Sequence, residues 1–316
     1  MSINVDPMAL ESPYYSYVPT RWVTILVLVL FTVSTVIHIG QAAHYRTWWL
    51  FTTLVVAGLA EIAGWGARVH SSIQPANYAA YLILMISTSL APTFIVAANL
   101  IILGRIITQV GTHYSRIPPR LYAIIFCSAD AITLAIQGAG CGMSMSGAAQ
   151  SDLVTANHGA RIMLSGICIQ LGIMFVYAFF ALEFFVRYAR DLPVRRLETQ
   201  TLESLKSPKA RMTPNLQMMT RVLILSTILL LTRNIYRVIE FKNGWSGKII
   251  STEFYFNVLD GAMIILAMYV MNLVHPGHFL EPEQSLPYGD ASWLEIKDEY
   301  SSKSSMGSFF THATFR

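Results

Sequence analysis

The stretch WVTILVLVLFTVSTVIHIGQ, residues 22–41, carries no charged side chain along its whole length. A helix needs about 20 mostly apolar residues to cross the hydrocarbon core of a bilayer, and this stretch supplies them. Six more follow it: Trp48–Ala67, Tyr78–Leu103, Leu121–Ser144, Ile162–Phe185, Val222–Ile239 and Phe254–Leu273. Hydrocarbon offers no partner to backbone N–H and C=O groups, so such stretches cross as helices. The chain therefore reads as all-α, a polytopic membrane protein built as a bundle of seven transmembrane helices. Val222–Ile239 is the shortest stretch, and Leu121–Ser144 is interrupted by Asp130, Gln137 and a tract of small residues.

Composition agrees with that solvent. Hydrophobic residues make up 54% of the 316 and charged residues only 13%, against about a quarter charged in soluble domains. A net charge of +4 is too small to point to nucleic acid. Cys127, Cys141 and Cys168 lie in apolar runs without CxxC spacing and read as small buried hydrophobes. There is no N-x-S/T sequon. Residues 1–20 hold no basic residue and carry Asp6 and Glu11, the wrong character for the front of a cleavable signal.

Lysine and arginine placement orients a bundle, because cytoplasmic connections collect them. Arg46 lies in the first connection of one side, and Arg105, Arg116 and Arg120 in the second. The third, 187–217, holds Arg187, Arg190, Arg195, Arg196, Lys206, Lys209 and Arg211, with prolines at 193, 208 and 214. The other side is poor in them, with Lys242 and Lys248 as exceptions. This predicts an extracellular N-terminal tail (1–20), a transmembrane domain (21–274) and a cytosolic C-terminal tail (275–316). The long third connection and the Ser-rich run 301–308 read as mobile polar segments.

Charges inside spans cost roughly 3 kcal/mol each on insertion scales, so they face the bundle interior and find partners. Here they are Glu61, Arg68, Asp130, Arg161, Arg233, Arg237, Glu240, Glu253 and Asp260. Arg233 and Arg237 share a helix face, being four apart, and Glu240 lies near it. Glu253 and Asp260, seven apart, project together. Five acids against four bases suggest paired charges, which serve equally as a structural ion network or as the lining of a ligand site. Asp130 falls about ten residues into its span and so near the midplane, as a possible proton site or a buried structural hydrogen bond. Gln137 and Gln170 are expected to bond across helices. Gly138 and Gly142 form a small-xxx-small face for close helix approach, and Pro92 is expected to kink the third span.

These residues also stand in a recognisable order. Glu61-Ile-Ala-Gly64-Trp65-Gly-Ala-Arg68 resembles an E-x-x-G-Y-x-x-R element. Leu90-Ala91-Pro92 through Gly104-Arg105 resembles a third-span element, and Phe126 to Asp130 with Gln137 to Gly142 a D…Q-x-x-G-G-G fourth span. Gly159, Gly166 and Gln170 match a fifth. Arg233-Asn-Ile-Tyr236-Arg237-Val-Ile-Glu240, Gly244, Glu253 and Asp260 match the sixth and seventh, and His275-Pro276-Gly277 the closing element. Over about residues 17–277 the chain is similar to the fungal lipid-translocating exporter family, seven-span proteins linked to aminosterol resistance and release of sphingoid long-chain bases. Trp65 stands where Tyr is usual, Leu100 where Tyr is common, and Cys141 replaces a glycine. The resemblance implies plasma-membrane or other endomembrane residence and the handling of lipids or toxic amphiphiles.

The expected function is export or translocation of a membrane lipid or amphiphilic small molecule, sphingoid-base-like, through a polar cavity in the outer half. That cavity would be bounded by the second, third, sixth and seventh spans. Phe94, Phe254, Tyr255 and Phe256 would supply its apolar part. The expected ligand-contacting residues are Glu61, Arg68, Asp130, Gln137, Gln170, Arg233, Tyr236, Arg237, Glu240, Glu253 and Asp260. Acids among them would meet an amine, and Arg233 or Arg237 a phosphate. No GxxxxGK[ST] motif is present, so uphill movement needs an ion gradient or a partner. No cofactor or enzymatic activity is expected, and no protein partner is indicated. A lipid-responsive seven-span receptor or regulator is the alternative. A membrane hydrolase with a zinc site is a further one, weakened because His38, His70, His158, His275 and His278 do not converge under this topology.

A tag placed at Asn4 should be accessible on intact cells, and one at Lys303 only after permeabilisation. The reverse pattern, or both tags on one side, would reject the orientation.

Overall fold

Every apolar stretch is helical in the computed structural model, which describes residues 17–194, 212–242 and 249–280. Seven helices are long and apolar enough to cross a membrane: α1 Arg21–His44, α2 Trp48–Ser71, α3 Tyr78–Val110, α4 Pro119–Ala149, α5 Leu153–Arg190, α6 Pro214–Lys242 and α7 Glu253–Phe279. The C-terminal tail from residue 281, the first sixteen residues and most of the third basic connection lie outside the described residues.

Several helices run past the apolar limits, and three of them start on a residue suited to a helix N-terminus. The Asn77 side chain accepts from Ala80 N at the start of α3. Asp152 accepts from Val154 N and Thr155 N at the start of α5. Pro119 occupies the first turn of α4, where its missing N–H costs nothing. At 38 residues, α5 is about 57 Å long and extends well beyond a ~30 Å hydrocarbon core. Two helices contain a wider π turn, at Phe51–Val55 in α2 and Asn257–Ala262 in α7. Pro92 sits inside α3, which continues as helix through it.

Consecutive helices pack on one another from α1 to α7, and α1 also packs on α7, closing a ring. Across that ring α3 reaches α6, and α3 carries the largest buried share of any span. The outer rim is apolar: Ile25 and Val29 on α1, Ile124 and Ile132 on α4, and Phe179 and Leu182 on α5 are all exposed. In a chain of this kind such residues face lipid. Cys141 is buried, whereas Cys127 is half-buried and Cys168 is exposed. The expectation of three buried cysteines thus fails for Cys168, which lies on the outer face of α5.

The glycine face of α4 is not the expected one. Nothing lies within 4 Å of a Cβ built on Gly138 or Gly142. Gly140 and Gly147 make the contact instead, against α5. A Cβ on Gly140 would lie 2.4 Å from Met163 N, and one on Gly147 2.4 Å from Ala156 N. From the other side, a Cβ on Gly159 would lie 2.2 Å from Ser144 N. The sequence pattern offers two small-residue faces on α4, at 138/142 and at 140/144/147, and only the partner helix distinguishes them. Ser144 Oγ donates to Ala156 O at 2.8 Å, tying the same seam.

Gly159→Ala should separate α4 from α5, since the obstruction is backbone and cannot rotate away. The cost should be at least the ~1–3 kcal/mol typical of overpacking, read as a lower fraction of monodisperse protein after heating. Gly138→Ala should be neutral or slightly stabilising, and equal loss in both variants would contradict this helix seam.

Candidate functional site

The polar side chains of the spans gather near the end of the bundle that carries residues 17–20. Helical spacing brings Arg233, Tyr236, Arg237 and Glu240 onto one face of α6, and all four are buried. Arg233 Nε lies 2.6 Å from Asp260 Oδ1 of α7, and its Nη2 donates to the Thr88 carbonyl of α3 at 2.5 Å. Asp260 sits within the π turn Asn257–Ala262. Such bulges often carry functional side chains. Next to Asp260, Gly261 leaves room for a ring: a Cβ there would lie 2.6 Å from Trp65 Cζ2.

One turn further along α6, Arg237 Nη1 pairs with Glu240 Oε2 at 2.8 Å. Glu240 Oε1 accepts from the Tyr236 hydroxyl at 3.0 Å. Arg237 Nη2 also reaches Ser89 Oγ of α3 at 3.4 Å, and its guanidinium lies 4.9 Å from the Phe241 ring centroid. The outermost layer joins α2 to α7. There Arg68 Nη2 is 3.5 Å from Glu253 Oε1 and donates to the Tyr17 hydroxyl at 3.1 Å. The Arg68 guanidinium packs over Phe256, 4.5 Å from its centroid. Glu253 accepts from Thr20 N at 2.9 Å and Thr20 Oγ1 at 2.7 Å, which anchors the entry to α1. Burial raises the Tyr17 phenol above its ordinary pKa, although Arg68 pulls the other way.

Glu61 completes the network and differs from its neighbours. It is 1% exposed and feels Asp260, Arg233 and Arg237 electrostatically. Among the described residues it makes no ion pair, whereas Arg68, Arg233 and Arg237 each have an acid of their own. Arg161, counted among the span charges, is exposed on α5 and stands outside the network. Glu253 and Asp260 do not project to one partner. They serve Arg68 and Arg233 respectively, Glu253 ahead of the π turn and Asp260 within it.

Asp130, Gln137 and Gln170 form a second group between α3, α4, α5 and α6. Gln137 Nε2 donates to Gln170 Oε1 at 2.8 Å, and Gln170 Nε2 to Thr93 Oγ1 at 3.2 Å. Asp130 and Gln170 line a cavity of about 10 Å³ together with Tyr177 and Asn234. The sequence did not single out Asn234, Thr88, Ser89 or Thr20 as site residues, and Trp65 stood out only as a departure from the family pattern; all five partner or bound the charged residues. The signal for Asn234 was present, since it directly follows Arg233.

At the opposite end His38 and His275 act on one another electrostatically, so two of the five histidines do converge. The expectation of scattered histidines missed that α1 and α7 are neighbours in the ring. His275 stacks on Tyr45, 5.0 Å between centroids, and its Nδ1 accepts from Gly277 N. Among the described residues no three His, Cys, Asp or Glu side chains form a group able to hold a metal.

The sequence profile of the family described as RTA1 like protein matches residues 54–283, the larger part of the chain and the bundle from early in α2 through α7. The chain belongs to that family. It is 26% identical over 286 residues to the sphingoid long-chain base transporter RSB1 of Saccharomyces cerevisiae, a match covering 84% of this chain and 74% of the relative. It is 25% identical to protein RTA1 of the same yeast, over 92% of this chain and 97% of that one. To protein RTM1, also from Saccharomyces cerevisiae, it is 24% identical over 84% and 92% respectively. No solved structure matches. Family and architecture together make it an integral membrane protein.

Removing one partner of a buried pair strands the other charge, at about 3–5 kcal/mol. Arg233→Met should therefore lower the thermal midpoint of the purified protein strongly. Adding Asp260→Leu should recover much of that loss, because the stranded acid is gone. A double variant as unstable as the sum of the singles would show that the pair does not hold the bundle.

Proposed function

We propose that the protein exports single-tailed cationic amphiphiles of the sphingoid-base type. The observation that carries this reading is Glu61. It is a buried carboxyl without an ion pair among the described residues, beside Arg233 and Arg237, each already matched by another acid. An ammonium head group supplies the missing positive charge, and its long chain stays in the apolar surroundings. A charge interaction of this kind is far stronger in a dry interior than in water. The relative named as a sphingoid long-chain base transporter supports the same substrate class.

In this reading the head group enters among α2, α3, α6 and α7 when the Arg68–Glu253 layer opens. That layer is the outermost, and Glu253 is its most exposed member at 17%. The cavity bounded by those spans is thus a state of the cycle. Trp65 and Phe256, 5.8 Å between centroids, pack beside Arg68 and face the incoming chain. The remaining network residues, Tyr236, Arg237 and Glu240, position the arginines so that they do not neutralise Glu61. Plasma-membrane residence, an extracellular N-terminus and transport without enzymatic turnover belong to the same proposal.

Glu61→Gln keeps shape and hydrogen-bonding capacity and removes the charge. The variant should reach normal abundance and location and lose at least about tenfold in export of a labelled sphingoid base, the lower end of what a close charge pair contributes. Wild-type export by a well-expressed Glu61→Gln protein would remove Glu61 as the head-group acid. Normal ligand-dependent signalling with no lipid movement in either protein would favour a receptor instead.

A further inference from the structure

The second polar group has its own chemistry. Asp130 is 4% exposed and makes no ion pair among the described residues. Its surroundings, taken helix by helix, hold little charge. On α4 its titratable neighbour is the Cys127 thiol. From α3 the cavity wall is Val96, from α5 it is Gln170, Ile173, Met174 and Tyr177, and from α6 it is Asn234. Arg233 stands behind Asn234, one residue removed from the cavity. A carboxylate at such depth needs a positive charge or a proton.

The walls of the cavity are prepared for a small guest. The Tyr177 side chain is 1% exposed, and its hydroxyl is buried without a hydrogen-bond partner. The Thr227 hydroxyl lies beside it and gives its own proton to Leu223 O at 2.8 Å, so it can only accept from Tyr177 and leaves the lone pairs of the Tyr177 oxygen free. Gln170 is held in place by Gln137 and Thr93. The volume of about 10 Å³ corresponds to roughly one water-sized sphere, too small for an organic head group. A buried acid, an unsatisfied hydroxyl and space for one small particle thus coincide.

We propose that this cavity is a binding site for a small monovalent cation, either a proton carried on the Asp130 carboxyl or a sodium ion held by Asp130 and the Tyr177 hydroxyl. The site also has a physical connection to the charge network. Asn234 lines the cavity, donates to Met174 Sδ at 3.2 Å, and accepts from Arg233 Nη1 at 3.4 Å. Arg233 in turn holds Asp260. A cation at Asp130 repels Arg233 and competes for the Asn234 oxygen, so its occupancy biases the pair on which the α6–α7 contact depends. This is the arrangement by which an ion gradient drives movement at another site. The inference concerns the cation and does not depend on which amphiphile is moved.

The test uses the full-length protein purified in detergent, with the probes being sodium chloride against choline chloride at equal ionic strength, at pH 8 and at pH 5.5. Binding to the folded state raises the thermal midpoint by mass action. For wild type we expect a rise of about 3 °C or more, produced by sodium at pH 8 if the guest is sodium, or by acidification in choline if it is a proton. Asp130→Asn should abolish that response. Tyr177→Phe should weaken the sodium response and leave a proton response in place, which separates the two guests. If Asp130→Asn fails to fold, Asn234→Ala and Tyr177→Phe serve in its stead, and at least one must reduce the response or shift its midpoint. A wild type indifferent to both sodium and pH overturns the proposal. So does a response that survives unchanged in Asp130→Asn, or in both substitutes. None of these readings measures lipid movement, so a failure here is distinct from a failure of the export reading.

Discussion

An arginine at membrane depth has to carry its counter-charge with it, and Arg233 meets Asp260 at 2.6 Å. The third donor direction of the same guanidinium is used on the Thr88 carbonyl, so one side chain fixes α6 against both α7 and α3. Because α3 is the helix that crosses the ring, this contact sets where the remaining polar groups fall. Arg237 lands one turn above, where Glu240 and Ser89 receive it. Arg68 lands above that, against Glu253. The bundle is therefore held at one end by layers of opposite charge rather than by apolar packing alone. Lipid tails are as apolar as leucine, so apolar packing between helices is weakly selective in a bilayer.

The rest of the ring is closed by close helix approach at glycines and by side-chain hydrogen bonds. Between α4 and α5 the glycines at 140, 147 and 159 let the helices touch main chain to main chain. Between α1, α2 and α7 a different small residue works: a Cβ on Gly58 would lie 2.1 Å from Thr35 Oγ1 and 3.0 Å from Met268 Cε. Asn272 of α7 adds hydrogen bonds to Ser34 at 2.6 Å, and Gln41 bonds to the Asn272 carbonyl at 2.8 Å. Close approach of this kind is rigid, whereas an ion-paired layer can exchange partners. The glycine seam and the charged layers thus divide the bundle into a part that holds its shape and a part able to rearrange around a charged guest.

The two polar groups of the interior are chemically distinct. One is rich in fixed charge and, among the described residues, contains a single acid, Glu61, outside the three ion pairs. The other is nearly free of charge apart from Asp130. Asn234 touches both, through Arg233 on one side and the cavity on the other. Among the described residues the interior thus holds two buried acids without ion pairs, Glu61 and Asp130, and Asn234 links the cavity of the second to Arg233 of the first group.

By itself the sequence determined the number of spans, their helical state and most of the charged residues that turn inward, with Arg161 the exception. Those follow from rules that are local and severe in hydrocarbon: about 20 apolar residues per crossing, every backbone group bonded, and no charge left facing lipid. The family order of Glu61, Arg68, Asp130, Arg233, Arg237, Glu240, Glu253 and Asp260 was legible for the same reason, since charged residues are conspicuous in apolar runs. Tertiary structure decided the pairing. Seven-residue spacing placed Glu253 and Asp260 together, yet a π turn that starts after Glu253 and contains Asp260 shifts the register, and one meets Arg68 and the other Arg233. The spacing of glycines allowed two faces on α4, and only α5 selected 140 over 138. The isolation of Glu61, the meeting of His38 with His275 and the cavity at Asp130 were invisible for one physical reason. Each depends on which helices are neighbours in the ring, and that is fixed by contacts between residues far apart in the chain.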